Sequence, residues 1–183
     1  MNINDMIIKA YNNLMAASSV SDGVKAAATV AMQTAKIIRN DRMRTTAGRC
    51  GCTISHFTKT LSNLRIEWNS TLFSRMTEDE QFNTVSHEFA HAVEYCVRLK
   101  SDHDYFWQSI HRACGGTAAR THNYDTTGLR KNVRRLIVKD TITNREYKIT
   151  VNNWNKINHN PKYQLLKTEV YQGNTMVACH SHA

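Results

Sequence analysis

The chain has 183 residues and 41% hydrophobic content, which suits one domain or a domain with a small appendage. No stretch approaches the roughly 20 apolar residues of a membrane span, no signal-peptide pattern opens the chain, and five cysteines at irregular spacing argue against a disulfide framework, so it reads as cytoplasmic and reduced. The formal charge of +9 is unevenly spread: residues 1–116 hold 13 Lys and Arg against 11 Asp and Glu, and residues 117–183 hold 11 against 4, an excess that favours a polyanionic partner, nucleic acid before membrane.

Ile3, Met6, Ile7, Ala10, Tyr11, Leu14 and Met15 recur at helical spacing, which predicts an amphipathic helix over residues 3–17. A turn over 18–23 follows, with Ser21 or Asp22 as the cap of an Ala-rich helix over 24–39. Its apolar side is Val24, Ala27, Ala31, Ala35 and Ile38. Residues 44–54 are poor in helix signals and predict a strand, and the alternation of Leu64 to Trp68 predicts another. Cys50-Gly51-Cys52 is too short a pattern to indicate a metal site, and His56 falls in the loop between the strands.

Thr77 to Lys100 predicts a long helix. Thr77 and Glu80 form a capping box, Glu78 and Asp79 add negative charge at the positive end of the dipole, and no Pro or Gly interrupts the run. Phe82, Val85, Phe89, Ala92, Val93 and Cys96 keep the helical period. Within it lies His87-Glu88-Phe89-Ala90-His91, an H-E-x-x-H. Spacing of four puts both imidazoles on one face, within reach of a single metal ion, while Glu88 lies beside that face as a base for water at the metal. A third protein ligand completes the usual catalytic zinc set. His103 is the preferred candidate, because a turn can aim it back at the first helix; His111, Asp102 and Asp104 are the alternatives. Ser101 to Asp104 reads as the S-x-x-D cap of a second helix that stops at Gly115-Gly116. Glu94 lies seven residues after His87, placed either to accept from a ligand imidazole or to pair with Arg98.

These residues, with Trp107 four positions after His103, then Cys114-Gly115-Gly116 and Ala119 to Tyr124, resemble the SprT family, whose members include DNA–protein crosslink proteases. Two departures stand out. Asp104 sits where members usually carry Gly, and no C-x-x-C marks the four-cysteine zinc ribbon of bacterial members. The resemblance implies a zincin-like domain with its strands in a small antiparallel sheet beside the metal helix. It further implies Zn2+ on His87, His91 and His103, Glu88 as general base, and DNA-associated proteins as substrates. Tyr105, His122 and Tyr124 are candidates to stabilise the oxyanion. An alternative class is a DNA-binding module with a structural zinc site and no protease activity.

Beyond Gly116 the texture changes to short alternating runs at 133–138, 146–151, 163–166 and 169–179, with a hairpin turn at 172–174. The expected organisation is thus α+β: a metalloprotease domain over 1–124 and a basic β-rich appendage over 125–183. Arg130, Lys131, Arg134 and Arg135 form the densest basic cluster and are the first candidates for phosphate contacts. Residues 152–163 read as a loop in which Trp154 either stacks on bases or anchors a core, while Lys156 meets phosphate. Cys179, His180, His182 and His159 match no closed zinc pattern, and the C-terminus reads as frayed.

Overall fold

The computed structural model describes residues 1–119, 126–127, 135–140, 144–159 and 176–182. The chain divides into two compact units, Met1–Arg130 and Lys131–Ala183. The architecture is α+β, and no helix among the described residues is long and apolar enough to cross a membrane.

The first unit opens with α1 (Ile3–Ala16), held by a capping box between Asn2 and Asp5, and α2 (Asp22–Thr34), which starts after Ser21. The Ala-rich helix ends at Thr34, earlier than its composition predicts. Lys36–Arg39 leaves it as the strand β1, because Ile37 and Ile38 are stiff β-branched residues with a partner ready to pair. The two strands expected here form as β2 (Gly48–Ser55) and β3 (Thr60–Trp68), and they pair with each other as a hairpin. The sheet order is β1-β3-β2, with β1 parallel and β2 antiparallel to β3. β2 is therefore an edge strand. Arg49 lies directly opposite Glu67 in the register, and Glu67 accepts from Arg49, Arg65 and Asn40.

A short α3 (Ser70–Phe73), capped by Asn69, leads into α4 (Glu78–Arg98). The Thr77–Glu80 capping box forms as its spacing predicts. Thr84 to Glu94 are all buried, so α4 is the central helix, packed by α1, α2 and the sheet. Met6, Leu14, Ala28, Ala31, Ile66, Phe89 and Val93 meet in that core. Leu99 ends α4 in the left-handed conformation, φ 54°, and turns the chain toward α5 (Tyr105–Ala113). The cap of α5 is Asp104, not Ser101: its carboxylate accepts from the Phe106 and Trp107 amides.

The second unit contains β4 (Arg135–Asp140), β5 (Glu146–Thr150), α6 (Val151–His159) and β6 (Met176–His182), with sheet order β5-β4-β6 and antiparallel pairing throughout. Residues 151–159 are a helix where the sequence reads as a loop; their Asn-rich composition hides an apolar side whose Trp154 packs on Val138 and Ile149. The C-terminal segment pairs along β4 as β6 instead of fraying. The expected strand at 163–166 and the turn at 172–174 lie outside the described residues.

Candidate metal centre

Two neighbouring α4 turns supply His87 and His91, both buried, and the turn after α4 supplies His103. Their Nε2 atoms form a nearly equilateral triangle: 3.2 Å from His87 to His91, 3.1 Å from His91 to His103, and 3.2 Å from His103 to His87. Three imidazoles bound tetrahedrally at about 2.0–2.1 Å would have edges of about 3.3–3.4 Å. The triangle thus fits a zinc-sized ion closely. With each Nε2 deprotonated, three lone pairs face one point, an arrangement that could hold a metal ion.

Protonation of the second ring nitrogen can be followed at His91. Ser101 Oγ donates to Glu94 Oε2 at 3.0 Å, so that oxygen accepts from His91 Nδ1 at 2.5 Å. Glu94 Oε2 is itself 3.5 Å from His91 Nδ1. With the proton on Nδ1, the Nε2 lone pair is free for the metal. Glu94 is fully buried and also accepts from the Asp102 amide at 2.9 Å and from Arg98. Glu94 therefore pairs directly with Arg98 and reaches the ligand imidazole through Ser101. Burial opposes its charge, but the His91, Asp102, Arg98 and Ser101 hydrogen bonds hold its carboxyl below the ordinary value. Arg98 reaches on to Asp104 at 2.8 Å and lies over the Phe106 ring. That bond, ahead of the two amide bonds at the cap, lowers the Asp104 carboxyl to about 2. Glu94, Arg98 and Asp104 thereby clamp the turn that carries His103. Asp104, standing where the resemblance leads one to expect Gly, both caps α5 and closes this clamp.

Trp107 is fully buried beneath the cluster. Its ring stacks on His91 at 5.0 Å between centroids and meets His87 and His103 edge-on, each at 4.6 Å. His111 is not part of the triangle. It is fully buried, and its Nε2 lies 3.1 Å from Ser86 Oγ. Since the Ser86 hydroxyl donates to the Asn83 carbonyl, it accepts the His111 proton. Gly116 packs on that ring so closely that a Cβ there would lie 1.9 Å from Nε2.

Glu88 is buried on the α4 flank facing β2, where its Oε2 accepts from the Cys50 main-chain N–H at 2.6 Å. Burial pushes its carboxyl up to about 7, against the downward pull of the Cys50 N–H and the Arg49 charge. A carboxylate tuned near neutrality suits a general base, and a cation on the adjacent histidines would lower it again.

The other candidate residues are placed as follows. Asp102 donates no ligand atom to the triangle; its Oδ1 accepts from the His103 amide at 2.8 Å. Tyr105 is 80% exposed at the start of α5, while His122 and Tyr124 lie outside the described residues. Cys50 and Cys52 are free thiols on β2, and His56 is exposed. Arg130, Lys131 and Arg134 lie outside the described residues, as do the side chains of His159, Cys179, His180 and His182. Arg135 and Lys156 are exposed, and Trp154 is half-buried in the second core. Sequence reasoning missed the part of Ser101 and that of the Cys50 amide. A serine in a polar turn and a main-chain N–H carry no pattern of their own.

The sequence model of the SprT-like family matches residues 8–130, the span that holds the whole histidine triangle and Glu88. No curated protein and no solved structure matches the chain.

Proposed function

The chain belongs to the SprT-like family, and on that footing we propose that it is a zinc-dependent peptidase acting on proteins associated with DNA. One observation carries the reading: three histidine nitrogens converge on one point with no fourth protein ligand among the described residues, and the helix that supplies two of them buries Glu88 between them in sequence. A structural zinc site closes all four positions with side chains, whereas a catalytic site leaves one open. A structural site also has no use for a base such as Glu88.

His87, His91 and His103 would hold the ion, and three imidazoles with no thiolate suit zinc. When bound, zinc supplies the Lewis acidity that ionises water near neutral pH and polarises a carbonyl. Glu88 takes the proton of the attacking water and later returns it to the leaving amine. Ser101 and Glu94 hold His91 in the tautomer that binds. The β2 edge beyond the Cys50 amide, which Glu88 already occupies, offers main-chain groups to an extended peptide, which would dock as an added strand.

The nucleic-acid part of the reading rests on the second unit. Leu136, Val138, Tyr147 and Ile149 turn inward with Trp154, so strand alternation sends Arg135, Lys139 and Lys148 to the opposite face. That face and Lys156 supply cations for phosphates, with Arg130, Lys131 and Arg134 as further candidates. Trp154 serves the second unit as a core anchor.

The test is zinc content of the purified protein, together with cleavage of a DNA-binding protein with and without DNA. A single zinc per chain and DNA-stimulated cleavage are expected. Zinc-loaded protein that cleaves no protein under either condition would refute the peptidase reading. Cleavage indifferent to DNA would remove its nucleic-acid part.

A further inference from the structure

Gly48, at the start of β2, is buried against α4 at the level of Glu88. A Cβ at this position would lie 2.8 Å from Glu88 Cγ, 3.2 Å from Glu88 Oε1 and 2.9 Å from Thr84 Cγ2. Separations below 3.0 Å cannot stand, so something must give. Thr84 is poorly able to do so. It is 1% exposed, and its hydroxyl is anchored on the Glu80 carbonyl at 2.9 Å, which fixes the rotamer that aims its methyl at Gly48. Glu88, with three rotatable bonds, is the group that would move.

Two residues along the same strand, Cys50 supplies the other half of the arrangement. β2 pairs with β3 on one side only, and the Cys50 N–H points to the unpaired side, where it donates to Glu88 Oε2 at 2.6 Å. The carboxylate is thus confined on one side by a strand with no side chain at 48 and oriented by that strand's own amide. A glycine inside a strand weakens it and often marks a close approach of another group; here the group is the base.

We infer that Gly48 is a positioning residue for Glu88: the missing side chain at 48 and the Cys50 amide together form the seat that holds the carboxylate beside the metal centre. The inference rests on the peptidase reading for its catalytic consequence, but the seat can be tested apart from it. The seat belongs to the same β2 edge that would receive an extended peptide. Base and substrate would then be registered to each other by one strand.

Amide hydrogen exchange on the metal-free protein tests the seat directly. In Glu88→Ala the Cys50 amide should exchange at least about tenfold faster, while the β2–β3 ladder keeps its protection. Gly48→Ala should expose the same amide by displacing Glu88. It should lower kcat about 10- to 100-fold with KM and zinc affinity retained, as expected for a misplaced base with intact ligands. If Gly48→Ala does not fold, Gly48→Ala with Thr84→Ser removes the second clash and replaces it. Equal Cys50 exchange in the parent and Glu88→Ala would overturn the seat. Parental kcat in a zinc-loaded Gly48→Ala protein would overturn the positioning role. A parent that binds zinc but cleaves nothing refutes the peptidase reading and the catalytic role together, and the exchange result still decides whether the seat exists.

Discussion

Glu94→Gln is the most informative perturbation of the clamp around the metal centre. The change keeps volume and removes the charge of a fully buried carboxylate that accepts from Ser101, the Asp102 amide and Arg98, with His91 Nδ1 beside it. A glutamine retains one acceptor oxygen and turns an NH2 toward donors that cannot receive it. Breaking a buried ion pair from one side costs about 3–5 kcal/mol. Arg98 keeps Asp104 as a partner and is partly exposed, so the lower end, about 3 kcal/mol, is expected here. In a unit of this size that corresponds to a fall in melting temperature of about 10–12 °C. The same change loosens the tautomer of His91 and the turn carrying His103, and loss of such an outer partner costs about 10–100-fold in metal affinity. Thermal unfolding with and without zinc, paired with chelator competition, measures both. Unchanged zinc affinity in a folded Glu94→Gln protein would refute the idea that this carboxylate organises the ligands.

Four further sets of variants can be checked. His103→Ala should lose zinc at chelator concentrations that the parent resists, whereas His111→Ala should keep its stoichiometry while losing stability, because its ring fills the core between Ser86 and Gly116. Glu67 is opposed by burial but held down to about 2 by Asn40, Arg49 and Arg65, from an ordinary 4.5. Its stabilising contribution is therefore complete above about pH 4.5 and lost as the pH falls toward 2, so the stability gap between the parent and Glu67→Gln should close across that window. Replacing Arg135, Lys139 and Lys148 with Ser should flatten the salt dependence of DNA binding by about 0.7 to 0.9 in log–log slope for each phosphate that the protein no longer neutralises. Trp154→Ala should instead destabilise the second unit and leave that slope unchanged, and a loss of about 1–3 kcal/mol in single-strand affinity by the folded variant would place its ring on the bases.

What the sequence made legible follows from how local each signal is. The capping box at Thr77 and Glu80, the unbroken period and the spacing of His87 and His91 all lie within one helix, and α4 forms accordingly. His103 was accessible because a turn close after α4 is the nearest place from which a third imidazole can return. The clamp behind it was only half visible. Ser101 and Asp104 both suit a cap, and the choice between them was made by Arg98 and Glu94, which are partners in space and not in pattern. β1 was hidden by the Ala-rich run before it, since parallel pairing to β3 is a long-range event that Lys36 to Arg39 do not announce. α6 was masked by Asn and Lys on its exposed side, while Trp154 supplied its burial. The seat of Glu88 was invisible for a different reason: it is made of an absent side chain and a main-chain amide.

The most direct measurement is zinc content and proteolysis of Glu88→Gln beside the parent. Three histidines hold the ion and Glu88 only moves protons, so the variant should retain zinc at the parental stoichiometry and lose proteolysis. Loss of zinc from the variant would make Glu88 a ligand and contradict the histidine triangle as the complete protein set. Proteolysis at the parental rate would contradict the mechanism itself.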